Sequence, residues 1–251
     1  MIKNALEFIV GLQGGLTTLE EKGRKFLFDK NGNLKHEFKH NYQEAMVTST
    51  LSSIIDYFSG DPDKVFDRDK KYIIRISNPE RVIVQSAVSG EMVRDDLLYV
   101  EAFTPERFAY DRYMDLEFFN IQLQSRFEYT DDLGRLLALT ANVVDETVKS
   151  YGDNGISQTA AVKSGVTSVA DVIVPNPVTL KPFRTFSEAE QPESKFVFRL
   201  RKGDDGVTAA LIEADGGAWK VQAMRNIAEY LYARLFEVLT PEQMQRITIL
   251  S

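Results

Sequence analysis

The chain has 251 residues, 43% of them hydrophobic and 27% charged, and its formal net charge is -7. This composition is typical of a folded globular protein and argues against wholesale disorder. The chain has no cysteine, which excludes disulfides, thiolate metal ligands and cysteine nucleophiles, and its acidic balance argues against a broad phosphate-binding face. No stretch approaches the roughly 20 apolar residues of a membrane span, so we expect a soluble cytoplasmic protein that binds no membrane.

Over the first quarter of the chain, the residue pattern predicts a helix, a hairpin and a second helix. Residues 2–12 place apolar side chains at helical spacing. Asn31-Gly32 separates two β-capable runs, 25–29 and 34–38, and predicts a hairpin because both turn residues tolerate positive φ. A further helix is predicted over residues 43–58. Its apolar stripe consists of Val47, Leu51, Ile54, Ile55 and Phe58.

The middle of the chain predicts a sheet followed by helices. Residues 72–76, 81–88 and 97–103 are rich in β-branched and aromatic side chains, which indicates an antiparallel meander. Thr104-Pro105 then has the pattern of a helix start. Two more helices are predicted, the first over residues 116–127 and the second capped by Thr130 and reaching Val148.

The last hundred residues predict two hairpins and a long helix. The small residues at 151–171 fit either a twisted hairpin or a mobile arm. Pro175, Pro177, Pro182 and Pro192 predict an extended chain on a sheet edge or surface. Residues 196–201 and 207–213 flank a glycine-rich turn and predict a second hairpin. The final helix follows Gly217. Its predicted buried face consists of Val221, Met224, Ala228, Leu231, Leu235 and Leu239.

Together these elements predict an α+β fold. Antiparallel hairpins and a meander pack with several helices, and a long amphipathic helix lies toward the C-terminus. We expect a single domain over residues 1–251, with residues 1–60 as a distinguishable N-terminal subregion.

Three features stand in a recognisable order: an expected turn at Leu19-Glu20, the helical pair that contains Phe118-Phe119, and the segment from Val174 through Pro182 to Arg201. This order resembles that of a family of phage and prophage early-region proteins of unknown function, typified by the prophage protein YfdQ. The resemblance implies a phage or prophage origin and expression beside recombination or replication genes. It implies no catalytic residue.

A cation-rich strip in the first hairpin is the best nucleic-acid candidate in the sequence. Cations beside aromatic rings are what proteins use to bind single-stranded nucleic acids. Acidic residues interleave with the strip and cancel most of its field, so a solvated hairpin is the competing interpretation. The candidate contacts are Lys22, Arg24, Lys25, Lys30, Lys35 and Lys39.

An aromatic-rich segment is the best protein-interface candidate. Nine aromatic residues fall within positions 99–129, and most of them fit a core. The segment 107–113, however, has more aromatic residues than one buried face easily uses, and aromatic residues are enriched at interfaces. The candidate interface residues are Phe108, Tyr110, Arg112 and Tyr113.

Three further motifs are better explained by structural roles than by metal binding, phosphate binding or catalysis. His36 and His40 have the spacing of a metal pair on a helix, but they lie at the end of a predicted strand. The acids from Asp61 to Asp69 lack the glycine and the final glutamate of a calcium loop. The turn at 213–217 lacks the lysine of a phosphate loop and fits a helix start. We therefore assign no catalytic residue, metal ligand or cofactor.

Two functional hypotheses follow. In the first, the chain is a non-catalytic phage accessory protein that acts by binding, either as a homo-oligomer or on another protein. In the second, it is a nucleic-acid-associated recombination or replication accessory protein.

Overall fold

The computed structural model describes residues 16–21, 24–29, 31–38, 44–67, 70–88, 94–143, 159–163, 169–203 and 206–251. The chain divides into two compact units, residues 1–44 and residues 45–251. The helix predicted at 2–12 lies outside the described residues. The single-domain prediction, with its subregion 1–60, stays a prediction.

The N-terminal unit contains a three-stranded antiparallel sheet. Its strands are β1 (Leu16–Glu21), β2 (Arg24–Asp29) and β3 (Leu34–Phe38), in the order β1-β2-β3. Gly32 has a φ of 79°, and its N–H donates to the carbonyl of Asp29 at 2.9 Å. The predicted Asn-Gly hairpin is therefore confirmed. The turn expected at Leu19-Glu20 is wrong, because both residues lie within β1 and pair with β2.

One five-stranded sheet of the larger unit has the order β15-β5-β6-β7-β4. Its strands are β4 (Met46–Thr48), β5 (Tyr72–Asn78), β6 (Arg81–Ser86), β7 (Asp96–Glu101) and β15 (Ile247–Leu250). The three central strands form the predicted antiparallel meander. The two outer strands, β4 and β15, add to it in parallel and come from distant parts of the chain.

The other five-stranded sheet is antiparallel, with the order β8-β14-β13-β12-β9. Its strands are β8 (Met114–Asp115), β9 (Phe127–Glu128), β12 (Val178–Pro182), β13 (Ser194–Gly203) and β14 (Gly206–Glu213). The hairpin of β13 and β14 confirms the one predicted there. Pro182 and Pro192 are buried rather than exposed. Pro182 lies in β12 and pairs with Phe127 of β9.

A separate antiparallel pair consists of β10 (Thr159–Lys163) and β11 (Val169–Ile173). These paired strands agree with the hairpin interpretation of residues 151–171, of which residues 151–158 and 164–168 lie outside the described residues.

The helices complete an α+β fold, as predicted. They are α1 (Ser52–Gly60), α2 (Leu116–Arg126), α3 (Asp131–Asn142), α4 (Ala218–Val238) and α5 (Pro241–Met244), with a 3₁₀ turn at Val65–Asp67. Asp115 and Thr130 cap α2 and α3 through side-chain oxygens that accept backbone N–H groups. None of the helices in the described part of the chain is long and apolar enough to cross a membrane.

Three predicted helix boundaries are wrong. The helix expected from residue 43 begins at Ser52, because residues 46–48 pair with β7 and Val47 is 72% exposed. Residues 102–113 form no helix after Thr104-Pro105. The helix expected to reach Val148 ends at Asn142.

The larger unit contains two hydrophobic cores. The first lies between α1, α4 and the sheet that contains β5, β6 and β7. The second lies between α2, α3 and the sheet that contains β12, β13 and β14. The long helix α4 belongs to the first core along most of its length.

Candidate interaction surface

The buried face of α4 fixes how the helix is rotated. Ala223, Ile227, Leu231 and Leu235 follow at four-residue spacing, and the exposed fraction of each is 0%. Ile227, Leu231 and Leu235 belong to the first core, where α4 contacts α1 and β5, so the opposite side of the helix faces away from that core. Val221 was predicted to be buried and is 54% exposed, because Trp219 is the side chain that turns inward at the first turn.

The N-terminal turn of α4 is held by a buried arginine. Arg184 is 3% exposed on its side chain, and its guanidinium lies 4.0 Å from the centre of the Trp219 ring. Its Nη1 donates to Glu213 Oε1 at 2.5 Å, and its Nη2 donates to the hydroxyl of Ser194. Burial lowers the pKa of Arg184, and the nearby acid favours its charged form. This contact ties α4 to the strands of the second sheet.

The exposed face of α4 carries large apolar side chains. Val221 is 54% exposed, Tyr232 59% and Phe236 63%. At 3.6 residues per turn these three lie within about 60° of one another around the helix. The rings of Tyr232 and Phe236 are stacked, with centroids 6.2 Å apart and planes at 17°. A contiguous exposed apolar patch of this kind marks an interaction site more often than scattered single residues do.

Two opposite charges lie on the same face. Arg225 and Glu229 are exposed and fall between Val221 and Tyr232 along the helix. Neither forms an ion pair with another residue in the described part of the chain. We call Ala218, Val221, Gln222, Arg225, Glu229, Tyr232, Ala233 and Phe236 the α4 face. The sequence could have revealed it, since Tyr232 and Phe236 lie four residues apart and off the predicted buried stripe.

Two of the predicted interface residues, Phe108 and Tyr110, lie over the second core. Phe108 is 4% exposed and contacts the rings of Phe119 and Phe127, with centroids 5.8 and 5.3 Å away. Tyr110 is half-buried and stacks on Phe196 at 5.4 Å. Burial raises the pKa of Tyr110 to about 12. Both side chains lie over the second core because the irregular chain of residues 102–113 crosses it.

Arg112 and Tyr113, from the same prediction, are exposed. Tyr113 is 44% exposed, and the guanidinium of Arg201 lies 5.7 Å from its ring centre. Their role at an interface stays a prediction.

The cation-rich strip is described only in part. Lys22, Lys30 and Lys39 lie outside the described residues. Arg24 and Lys25 belong to β2, but their side chains are not described. Lys35 is exposed and its Nζ lies 3.3 Å from Asp29 Oδ2.

Asp29 keeps its negative charge beside Lys35. Its carboxylate accepts hydrogen bonds from the backbone N–H groups of Asn33 and Asn31, each at 2.9 Å. The hydrogen bonds from Asn33 are the main reason that the pKa of Asp29 falls to about 2. An ionised Asp29 offsets the charge that Lys35 would offer to a phosphate. The nucleic-acid hypothesis stays a prediction.

The remaining sequence motifs have structural roles. Asp61, whose φ is 42°, accepts the N–H of Val65 through its side chain, and Asp63 accepts the hydroxyl of Tyr57 at 3.1 Å. These acids therefore close a turn. His36 lies in β3, whereas His40 is outside the described residues. Among the residues that the structure describes, no three His, Asp or Glu side chains come together as a metal site would require.

A cavity of about 760 Å³ opens beside the first turn of α4. Its walls include Glu190, Glu193, Asp215, Trp219 and Asn226. One oxygen of Asp215 accepts the N–H of Gly217 at 2.9 Å, as a helix start requires. The volume is in the range of small-molecule sites. The cation Lys195 also lines the cavity, and Lys181 pairs with Glu190 at 2.9 Å.

Comparisons with protein-family models, with curated proteins and with solved structures gave no match for this chain. The resemblance to the YfdQ-type phage and prophage proteins therefore stays a prediction.

Proposed function

We propose that this chain is a phage- or prophage-encoded accessory protein that acts by binding rather than by catalysis, and that it associates with a second copy of itself through the α4 face. The observation that supports self-association is the stacked pair Tyr232 and Phe236, each more than half exposed on a helix whose other side is fully packed. The phage origin rests on the family resemblance.

Burial of this pair would supply a substantial driving force. An aromatic side chain buries about 150–250 Å² when it is fully covered, and each square ångström contributes about 25 cal/mol. Since Tyr232 and Phe236 already have part of their surface covered, roughly half of that area is gained on association. The two rings therefore contribute on the order of 5 kcal/mol per copy before the entropic cost of association.

The hydrogen bonds of three aspartate side chains favour a binding role over a catalytic one. The carboxylates of Asp29, Asp61 and Asp215 each accept backbone N–H groups of their own turns. Side chains held in this way stabilise loops and are not poised for proton transfer or for nucleophilic attack.

Light scattering coupled to size exclusion tests the proposal. We expect the wild-type chain, of 28.5 kDa, to elute with twice that mass over concentrations of about 1 to 100 µM, which cover moderate affinities. The variant Tyr232→Ser with Phe236→Ser should elute as a monomer with an unchanged circular dichroism spectrum, because both side chains lie outside the core.

Phe103→Ser is the matched control, since Phe103 is 92% exposed and lies outside α4. It should leave the mass unchanged. A wild-type chain that stays monomeric at about 100 µM would contradict the proposal, and so would equal loss of mass in the control variant.

A further inference from the structure

The α4 face is asymmetric about residue 227. Toward its N-terminus it carries the small side chains Ala218 and Val221 and the cation Arg225. Toward its C-terminus it carries the anion Glu229 and the large rings of Tyr232 and Phe236. Size and charge therefore both reverse across the middle of the face.

We infer that two copies pair through this face in an antiparallel arrangement, with a two-fold axis near residue 227. This inference rests on the self-association proposed above. A two-fold axis perpendicular to both helices places residues whose numbers add up to about 454 opposite each other. Arg225 then faces Glu229 of the second copy, and by symmetry Glu229 faces its Arg225.

The same register matches the shapes of the two copies. Ala218 faces Phe236 of the second copy, and Val221 faces its Tyr232. Each pair also lies at a similar angle around its helix, so its members fall on the same side of the contact. Large rings thus cover small side chains in both halves. The paired segment, residues 218–236, is about 28 Å long.

A parallel arrangement lacks both matches. It would place Arg225 against Arg225 and Glu229 against Glu229, and like charges in direct contact oppose association. It would also set the rings of Tyr232 and Phe236 against one another at one end and leave Ala218 facing Ala218 at the other. The α4 face is therefore self-complementary in one direction only.

Disulfide cross-linking can distinguish the antiparallel from the parallel arrangement, because the chain has no cysteine of its own. The antiparallel register brings Gln222 opposite Ala233 of the second copy, and both side chains are exposed and away from the two rings. We expect a mixture of Gln222→Cys and Ala233→Cys chains to form a disulfide-linked heterodimer under mild oxidation.

Each cysteine variant alone is the control. Two copies of residue 233 would lie about 18 Å apart along the paired helices, farther than the roughly 7 Å between Cα atoms that a disulfide spans. Efficient linkage of Ala233→Cys chains to each other would overturn the antiparallel arrangement in favour of a parallel one. Absence of linkage in the mixture, with a wild-type chain that is dimeric, would overturn the register.

Charge reversal is an independent test on the same dimer. Arg225→Glu and Glu229→Arg should each raise the dissociation constant at least about tenfold, since each change places two like-charge pairs across the two-fold axis. The double variant should restore the wild-type constant. Arg234→Glu should have little effect, because Arg234 lies about 160° around the helix from Phe236.

Self-association and the antiparallel pairing can be tested separately. A monomeric wild-type chain would contradict the proposed self-association itself. A dimer in which the double variant is no tighter than either single variant would contradict only this pairing, and would indicate that another surface or another part of the chain contacts the α4 face.

Discussion

Two groups of aromatic residues in this protein have opposite surroundings. Phe108 and Tyr110 come from the segment richest in aromatics, yet Phe108 is 4% exposed and Tyr110 stacks on the core residue Phe196. Tyr232 and Phe236 come from a regular amphipathic helix, yet each exposes more than half of its surface. Aromatic density along the chain therefore does not tell which rings meet solvent.

The difference follows from how each segment meets its core. The irregular segment around Phe108 runs over the second sheet, where the N–H of Asp111 donates to the carbonyl of Leu211 at 2.9 Å. On α4 the side toward the first core is already filled by Leu231 and Leu235. Tyr232 and Phe236 each follow one residue later, which places them about 100° around the helix.

Loss of a ring from each group gives the largest contrast that we predict. Phe108→Ala should lower the free energy of unfolding by about 3–5 kcal/mol, because it leaves a cavity between Phe119 and Phe127. Phe236→Ala should change the stability of the monomer by about 0.5 kcal/mol or less. Urea unfolding at a concentration low enough to keep the chain monomeric measures both. Similar losses for the two variants would refute the contrast.

The hydroxyl of Tyr110 gives a smaller effect of opposite sign. This atom is buried and has no hydrogen-bond partner among the described residues, so Tyr110→Phe should raise the free energy of unfolding by about 1 kcal/mol. Burial raises the pKa of Tyr110 to about 12, whereas a tyrosine in the unfolded chain ionises near 10. The folded state thus holds the proton that the unfolded state loses, and stability should fall as pH rises from 10 to 12.

Unfolding curves recorded from pH 9 to pH 12 measure that loss. The Tyr110→Phe variant should lose less stability over this range than the wild-type chain does. Identical slopes for the two proteins would show that the Tyr110 hydroxyl does not lie in a buried environment.

The smallest effect is expected at Tyr113, which follows Phe108 and Tyr110 in the aromatic-rich segment. Tyr113 is half exposed, and its visible interaction is with the guanidinium of Arg201. Tyr113→Ala should lower stability by about 1 kcal/mol or less and leave the molecular mass in solution unchanged. A loss of self-association in this variant would move the interface from α4 to the aromatic segment.

Local sequence patterns predicted the elements that depend on local physics. The Asn31-Gly32 turn, the meander and the cap at Thr130 follow from turn chemistry, strand propensity and a side-chain oxygen next to free N–H groups. The long C-terminal helix was also predicted, but the burial of Val221 was not assigned correctly, because apolar spacing alone does not tell which side of the first turn meets the core.

Distant contacts decided what the sequence could not show. Thr104, Pro105 and Glu106 form a good helix start, but Thr104 and Arg107 both bind Glu80, and Glu106 pairs with Arg126. These contacts, together with burial of Phe108, hold the segment in an irregular conformation. The α4 face was missed for a related reason, since its exposure depends on which neighbours cover the rest of the helix.

The start of α1 depends on an acid that lies far along the chain. Glu188 accepts the N–H of Leu51 at 2.6 Å and the N–H of Ser52 at 2.8 Å, and thereby supplies the cap that neither residue provides. The chain between the two partners contains α2, α3 and β12, which supply part of the second core. The long chain between the two partners must close into a loop before this contact can form. The contact therefore has a large sequence separation and is slow to form. We therefore expect α1 to gain its final protection from hydrogen exchange late in refolding, after the strands around the second core have formed.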